Sequence, residues 1–156
     1  MRVLEGSELE EAIRYMNLAV KVAKTSPCRK EKRGAIIVKN DSIIGQGVNE
    51  PPKPFKCEPS YCGDSCRVPA VHAEMNAIID SIERGYNLKK SRMYHARTED
   101  GILQDSRKPR CADCSKHILK FGVEEIILKH EEGYTLYDSV EFHKISLENH
   151  RKRNLK

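Results

Sequence analysis

Val71-His72-Ala73-Glu74-Met75-Asn76-Ala77-Ile78-Ile79-Asp80-Ser81-Ile82-Glu83 is the stretch that decides the architecture. Met75, Ile78, Ile79 and Ile82 recur at helical spacing, and Gly85 stands just beyond the end, as at a helix C-terminus. Two polar groups, His72 and Glu74, open this helix. A second helix of similar design spans Ala112 to Phe121; Gly122 closes it, and Pro109-Arg110-Cys111-Ala112-Asp113-Cys114 opens it. Arg92 to Ala96 reads as a short strand between the two helices, and Val123 to Leu128 as a buried strand after the second. Helices inserted between strands in this way are crossover connections, so the later strands are expected to run parallel in an α/β sandwich.

Upstream, Gly34-Ala-Ile-Ile-Val38 and Ser42-Ile-Ile-Gly-Gln-Gly-Val48 read as a hairpin turning at Asn40-Asp41. Before it, Leu9, Ala12, Ile13, Met16, Ala19, Val20 and Ala23 define a first amphipathic helix, with Ser7 and Glu10 spaced as a capping box and Ser26-Pro27 as its stop. Asn49 to Pro69 holds five prolines and three cysteines and is too long to order itself without a pin. Arg97 to Arg110 is polar and reads as loop. Toward the end, Leu136, Val140, Phe142, Ile145 and Leu147 predict another helix or irregular packing. The expected organisation is one domain over residues 1–149 and a frayed basic tail over 150–156.

Composition excludes several classes. The 156 residues, 38% hydrophobic and 33% charged, suffice for one domain with a core, are not depleted enough for a disordered chain, and contain no run of the roughly 20 apolar residues a membrane helix needs. Residues 1–11 lack the features of a signal peptide, so a reducing cytoplasmic setting is expected, where six cysteines point to metal or thiol chemistry rather than disulfides. The net charge of +5 permits an anionic ligand without requiring one.

Cys111 and Cys114 lie nearly on one face of a helix N-terminus, where the dipole and free N–H groups favour thiolates. With the His72 imidazole they make three zinc ligands and leave the fourth tetrahedral position open, the mark of a catalytic site. Glu74 is placed to move a proton of a water beside the metal. Taken singly, a His-x-Glu is commonplace surface chemistry and a Cys-x-x-Cys equally a structural zinc pair or redox motif. Taken together, in this order and each opening a helix, they match the His-x-Glu and Cys-x-x-Cys pattern of zinc nucleobase deaminases. Cys28, Cys57, Cys62 and Cys66 remain, the number a closed structural zinc site uses; buried free thiols are the alternative.

Val71 to Ile79, the cysteine pair and Gly45-Gln-Gly-Val-Asn49 resemble the cytidine and deoxycytidylate deaminase superfamily over about Glu8 to Leu128. His72 as first ligand, Asn76-Ala-Ile78 and Thr25-Ser-Pro-Cys28 are most similar to its deoxycytidylate (dCMP) deaminases; enzymes for free nucleosides usually place Cys at His72. The resemblance implies a three-layer α/β/α sandwich with a mixed, mostly five-stranded sheet. It also implies one catalytic zinc per subunit, a homo-oligomer, and hydrolysis of dCMP to dUMP and ammonia. Asn49 would bond the substrate sugar or base. A second zinc would take most of Cys28, Cys57, Cys62 and Cys66, with His95 as a spare ligand. Two features depart from the family: residues 97–108 intervene before the cysteines, and the proline stands one position early. The insertion brings Arg107, Lys108 and Arg110 near the metal, where Arg107 and Arg110 are candidates to grip a phosphate.

Two other functions fit parts of the sequence. A deaminase of a base in tRNA would use Arg151-Lys-Arg153 and the 107–110 loop as backbone contacts, yet six Tyr, three Phe and no Trp offer little stacking platform. A non-catalytic zinc-stabilised binding protein would have no use for Glu74.

Overall fold

A computed structural model describes residues 1–154 of the chain. Its elements are β1 (Arg2–Val3), α1 (Gly6–Ala23), β2 (Lys32–Lys39), β3 (Ser42–Val48), α2 (Pro59–Cys62), α3 (Ala73–Glu83), β4 (Ser91–Glu99), β5 (Ile102–Gln104), α4 (Ala112–Phe121), β6 (Val123–His130), β7 (Gly133–Asp138) and α5 (Ser139–Asn154). One sheet runs in the order β1-β7-β6-β4-β2-β3, and β5 pairs with β4 past the end of β6. The β4–β6 pair is parallel, joined through α4; the other neighbours are antiparallel.

Period-two alternation along the strands sorts the core into two layers. Ala35, Ile37, Met93, Ile126 and Leu128 face Ala77, Ile78, Ile118 and Phe142 of α3, α4 and α5. Ile36, Val38, Tyr94, Ala96 and Ile127 face Ala12, Tyr15, Met16 and Ala19 of α1. The result is the expected α/β/α sandwich, with seven strands where five were expected. The extra two are the short β1 and β5.

The first hairpin turns at Asn40 and Asp41, both left-handed at φ 50° and 58°, as a tight two-residue turn requires. Asp100-Gly101 repeats the device at φ 49° and 75° and folds β5 back on β4, so part of the expected 97–110 loop is a hairpin. The capping box is absent. Gly6, at φ 57°, turns the chain directly from β1 into α1, Ser7 lies within the first turn, and Glu5 at the N-cap makes no side-chain cap bond. Leu136 belongs to β7, while Val140, Phe142, Ile145 and Leu147 belong to α5. That helix continues through residues 150–154, so this part of the expected frayed tail is helical; residues 155 and 156 lie outside the described residues. No described helix is long and apolar enough to cross a membrane.

α3 lies very close to β3. A Cβ on Gly45 would stand 2.6 Å from the Ala77 carbonyl oxygen, and one on Gly47 2.6 Å from that of Ala73. Only glycine permits this approach. Asn76 Nδ2 then donates to the Val48 carbonyl at 2.7 Å, fixing the first turn of α3, and with it His72 and Glu74, against the strand.

Candidate active site

His72 is the N-cap of α3 and Cys111 the N-cap of α4, so two parallel-lying helix starts bring the donors together. His72 Nδ1 lies 3.0 Å from Cys114 Sγ and 3.5 Å from Cys111 Sγ, and the sulfurs are 2.7 Å apart. His72 Nε2 sits 2.8 Å from the Arg67 carbonyl and donates its proton there, which leaves Nδ1 free to act as a ligand. The backbone N–H of Cys114 donates to Cys111 Sγ at 3.3 Å. Hydrogen bonding from the Cys114 thiol is the main reason the Cys111 thiol is held down at about 5, while Cys114 is pushed up by the same contact. The pair thus carries a thiolate ready for a metal. Two sulfurs and an imidazole nitrogen whose far side is already bonded to a carbonyl fit zinc.

Glu74 stands beside this cluster, lining the same cavity of about 550 Å³. Burial favours its neutral form, but the opposing influence of His95 and His72 prevails and keeps its pKa below the ordinary carboxylate value. His95, on β4, has its Nε2 3.7 Å from Glu74 Oε1 and no hydrogen-bond partner among the described residues. It belongs to this cavity and not to the cysteine loop where it was expected as a spare ligand. Burial pushes the His95 pKa down, while the Glu74 charge opposes that shift.

The other expected residues also reach the cavity wall. Asn49 is buried and heavily used: Oδ1 accepts from Arg33 N and Ser26 Oγ, both at 2.8 Å, and Nδ2 donates to the Glu31 carbonyl at 2.8 Å. One amide proton remains to offer a ligand. Arg107 lies 3.6 Å from Glu31 Oε1, and Arg110 has no ion-pair partner among the described residues. Burial, then Arg107 and Arg33, lower the Arg110 pKa.

Glu31, Arg33 and Arg97 were not foreseen. Glu31 binds Arg33 through Nε at 2.9 Å and Nη2 at 2.6 Å, and also binds Arg97 Nε. Burial opposes its charge, but hydrogen bonds from Arg97 and Arg33 outweigh burial and hold its pKa at about 2. Arg97 continues to the Asp105 carbonyl at 3.1 Å and so ties the inserted loop to the sheet. The acidic Glu31 next to the basic Lys32-Arg33 was the available signal, but only the pairing of β2 with β4 puts Arg97 opposite Arg33.

A second group of thiols forms beside the His72 cluster, and Cys28 and Cys66 line the same cavity. The sulfurs of Cys28, Cys57 and Cys66 lie within 4.8 Å of one another, while Cys62 does not join that group. Burial disfavours the Cys28 thiolate, but backbone N–H groups of Glu31 and Lys30 and the Cys66 and Cys57 thiols lower its pKa overall. Burial, followed by Cys28, raises that of Cys66 to about 12.

A three-layer sandwich with one imidazole and two thiols at crossover-helix starts, and a carboxylate beside them, defines a zinc site of the open, catalytic type. The model of the cytidine and deoxycytidylate deaminase zinc-binding region matches residues 9–130, and the chain belongs to this family. The deoxycytidylate deaminase of Schizosaccharomyces pombe is 28% identical, with 72% of this chain and 35% of that protein covered. That of Mycobacterium phage D29 is 27% identical, with 75% and 92% covered. This chain therefore spans about a third of the yeast protein and most of the phage protein. The crystal structure of dCMP deaminase from cyanophage S-TIM5 in complex with dCMP and dUMP is 30% identical, covers 79% of this chain and 82% of its own, and superposes with a TM-score of 0.60.

Proposed function

We propose that this chain is a zinc-dependent deaminase that hydrolyses a cytosine nucleotide, dCMP, to dUMP and ammonia. The observation that carries the reading is the convergence of His72, Cys111 and Cys114 beside Glu74 in one cavity. The names of the yeast and phage relatives and the nucleotides bound to the cyanophage enzyme support dCMP in particular.

Zinc held by His72, Cys111 and Cys114 would supply the Lewis acidity that makes water a competent nucleophile near neutral pH. Glu74 takes a proton from the attacking water and delivers it to cytosine N3, then takes the second proton from the hydroxyl now on C4 and passes it to the departing amine, so one carboxylate serves as base and acid in turn. The C4–N bond breaks, ammonia leaves, and the water oxygen stays on C4. His95 lines the same cavity, with its Nε2 3.7 Å from Glu74 Oε1. Asn49 offers its remaining N–H to the sugar or base, and Arg107 and Arg110 receive the phosphate.

Cys28, Cys57, Cys62 and Cys66 hold a second, structural zinc in this reading. Its support is the convergence of thiols in a segment whose only regular element is the four-residue α2. A homo-oligomer is supported by Ile79 and Ile82 on α3 and Tyr86 just past its end, all exposed large side chains. The six unpaired cysteines agree with a reducing, cytoplasmic setting.

Ammonia release from deoxycytidine, cytidine, CMP, dCMP, dCTP, guanine and bulk tRNA tests the substrate. Turnover of dCMP above the others is expected; release from tRNA alone would replace this reading with the nucleic-acid one.

A further inference from the structure

The last turn of α5 lies beyond the region that matches the family, which ends at residue 130. Phe142, Ser146, Asn149 and Arg153 recur along it at spacings of four, three and four, a single helical stripe. The stripe is anchored from its start. Phe142 and Ser146 are buried in the protein, and Asn149 Nδ2 donates to the Pro109 carbonyl at 2.7 Å. Pro109 separates Lys108 from Arg110, so this bond docks α5 onto the loop that carries the cations of the cavity mouth. One turn further on, Arg153 lines the same cavity as Arg107, Lys108 and Arg110.

Its neighbours differ in their commitments. Arg33 and Arg97 are bound by Glu31. Lys152, beside Arg153 in sequence, is paired with Glu148. Arg110, Lys108 and Arg153 have no carboxylate partner among the described residues, and all three line this one cavity, so their charges are free to meet an anion within it. A phosphate monoester supplies two negative charges and several acceptor oxygens.

Resting on the nucleotide-deaminase reading above, we propose that Arg153 of α5 is a specificity-determining residue: it completes a phosphate subsite with Arg107 and Arg110 and makes the enzyme prefer a nucleotide to its nucleoside. The cytosine end of the substrate stays with His72, Glu74 and Asn49, at the deep end of the cavity. Arg153 touches only the phosphate at its mouth. Its removal therefore affects binding of the phosphorylated substrate and leaves the chemical step alone. Its place in the last, exposed turn means that its loss leaves the core intact.

The test compares the zinc-loaded full chain with Arg153→Ala and Arg153→Lys, measuring kcat and KM for dCMP and for deoxycytidine. It also includes calorimetric binding of inorganic phosphate, which requires no turnover. Arg153→Ala is expected to raise KM for dCMP about tenfold with kcat nearly unchanged, the loss of one charge-assisted hydrogen bond. Deoxycytidine kinetics and Tm should not move, phosphate should bind more weakly, and Arg153→Lys should recover part of the loss. Unchanged dCMP kinetics, equal losses on dCMP and deoxycytidine, or unchanged phosphate affinity would overturn the role. If the unaltered chain turns over no dCMP, the nucleotide-deaminase reading fails, and the phosphate titration decides the subsite alone: binding weakened by Arg153→Ala sustains it, and absent or unaltered binding refutes it.

Discussion

Glu74 and Glu31 are both carboxylates in the cavity wall, and their surroundings give them different work. Glu74 faces the ligand cluster and the His95 imidazole, and no guanidinium bonds to it among the described residues, so its oxygens are available to move protons. Glu74→Ala should retain zinc, measured by atomic emission, and lose about three orders of magnitude in ammonia release; near-normal turnover would remove Glu74 from the mechanism. Glu31 is instead saturated by Arg33 and Arg97. Its folded pKa lies below the ordinary value, so its contribution to stability is fully present above about 4.5 and disappears as the pH falls toward about 2. In urea unfolding, the stability gap between the unaltered chain and Glu31→Gln should be largest near neutrality and shrink from pH 4.5 downward. A constant gap would show that the carboxylate charge contributes nothing. Sequence made the first of these residues legible because His-x-Glu at one helix start is joined by Cys-x-x-Cys at the next, a pairing that neither motif alone would carry. It left Glu31 obscure, since its partners arrive through strand pairing.

Among the elements, helices with strong periodicity and a closing glycine were legible nearly to the residue: α4 matches its expected limits, with Gly122 left-handed at φ 91°. Short strands were not. β5 has three residues and no apolar run of its own, and its only local signal is Asp100-Gly101. β7 and α5 abut without a linker, so their apolar residues merged into one unresolved pattern. The 49–69 segment has prolines and cysteines without periodicity and only the four-residue α2, so it offers no core of its own and its order calls for a pin. If zinc is that pin, the purified chain should carry two zinc ions and Cys57→Ser close to one, with faster proteolysis confined to this segment. Equal zinc content in both proteins would leave the thiols as unligated side chains.

At the scale of the molecule, the sandwich puts both zinc-bearing helix starts at one end of the sheet and covers the other face with α1. The His-Cys-Cys-Glu constellation was legible from the motifs at the two helix starts, and the sandwich from the strand–helix alternation and the family resemblance. The cavity's basic mouth depended on long-range closure: the 97–110 insertion folds back through β5, and α5 returns to meet it at Pro109. The exposed apolar residues of α3 make self-association the expected state, and Ile82→Glu should shift the mass seen by light scattering toward the monomer; a monomeric unaltered chain would contradict this. The central claim is tested most directly by incubating the zinc-loaded chain with dCMP in heavy-oxygen water and recording product mass and ammonia together. Hydrolytic deamination predicts dUMP carrying one heavy oxygen and an equal amount of ammonia; intact dCMP in the presence of folded, zinc-bound protein would contradict it.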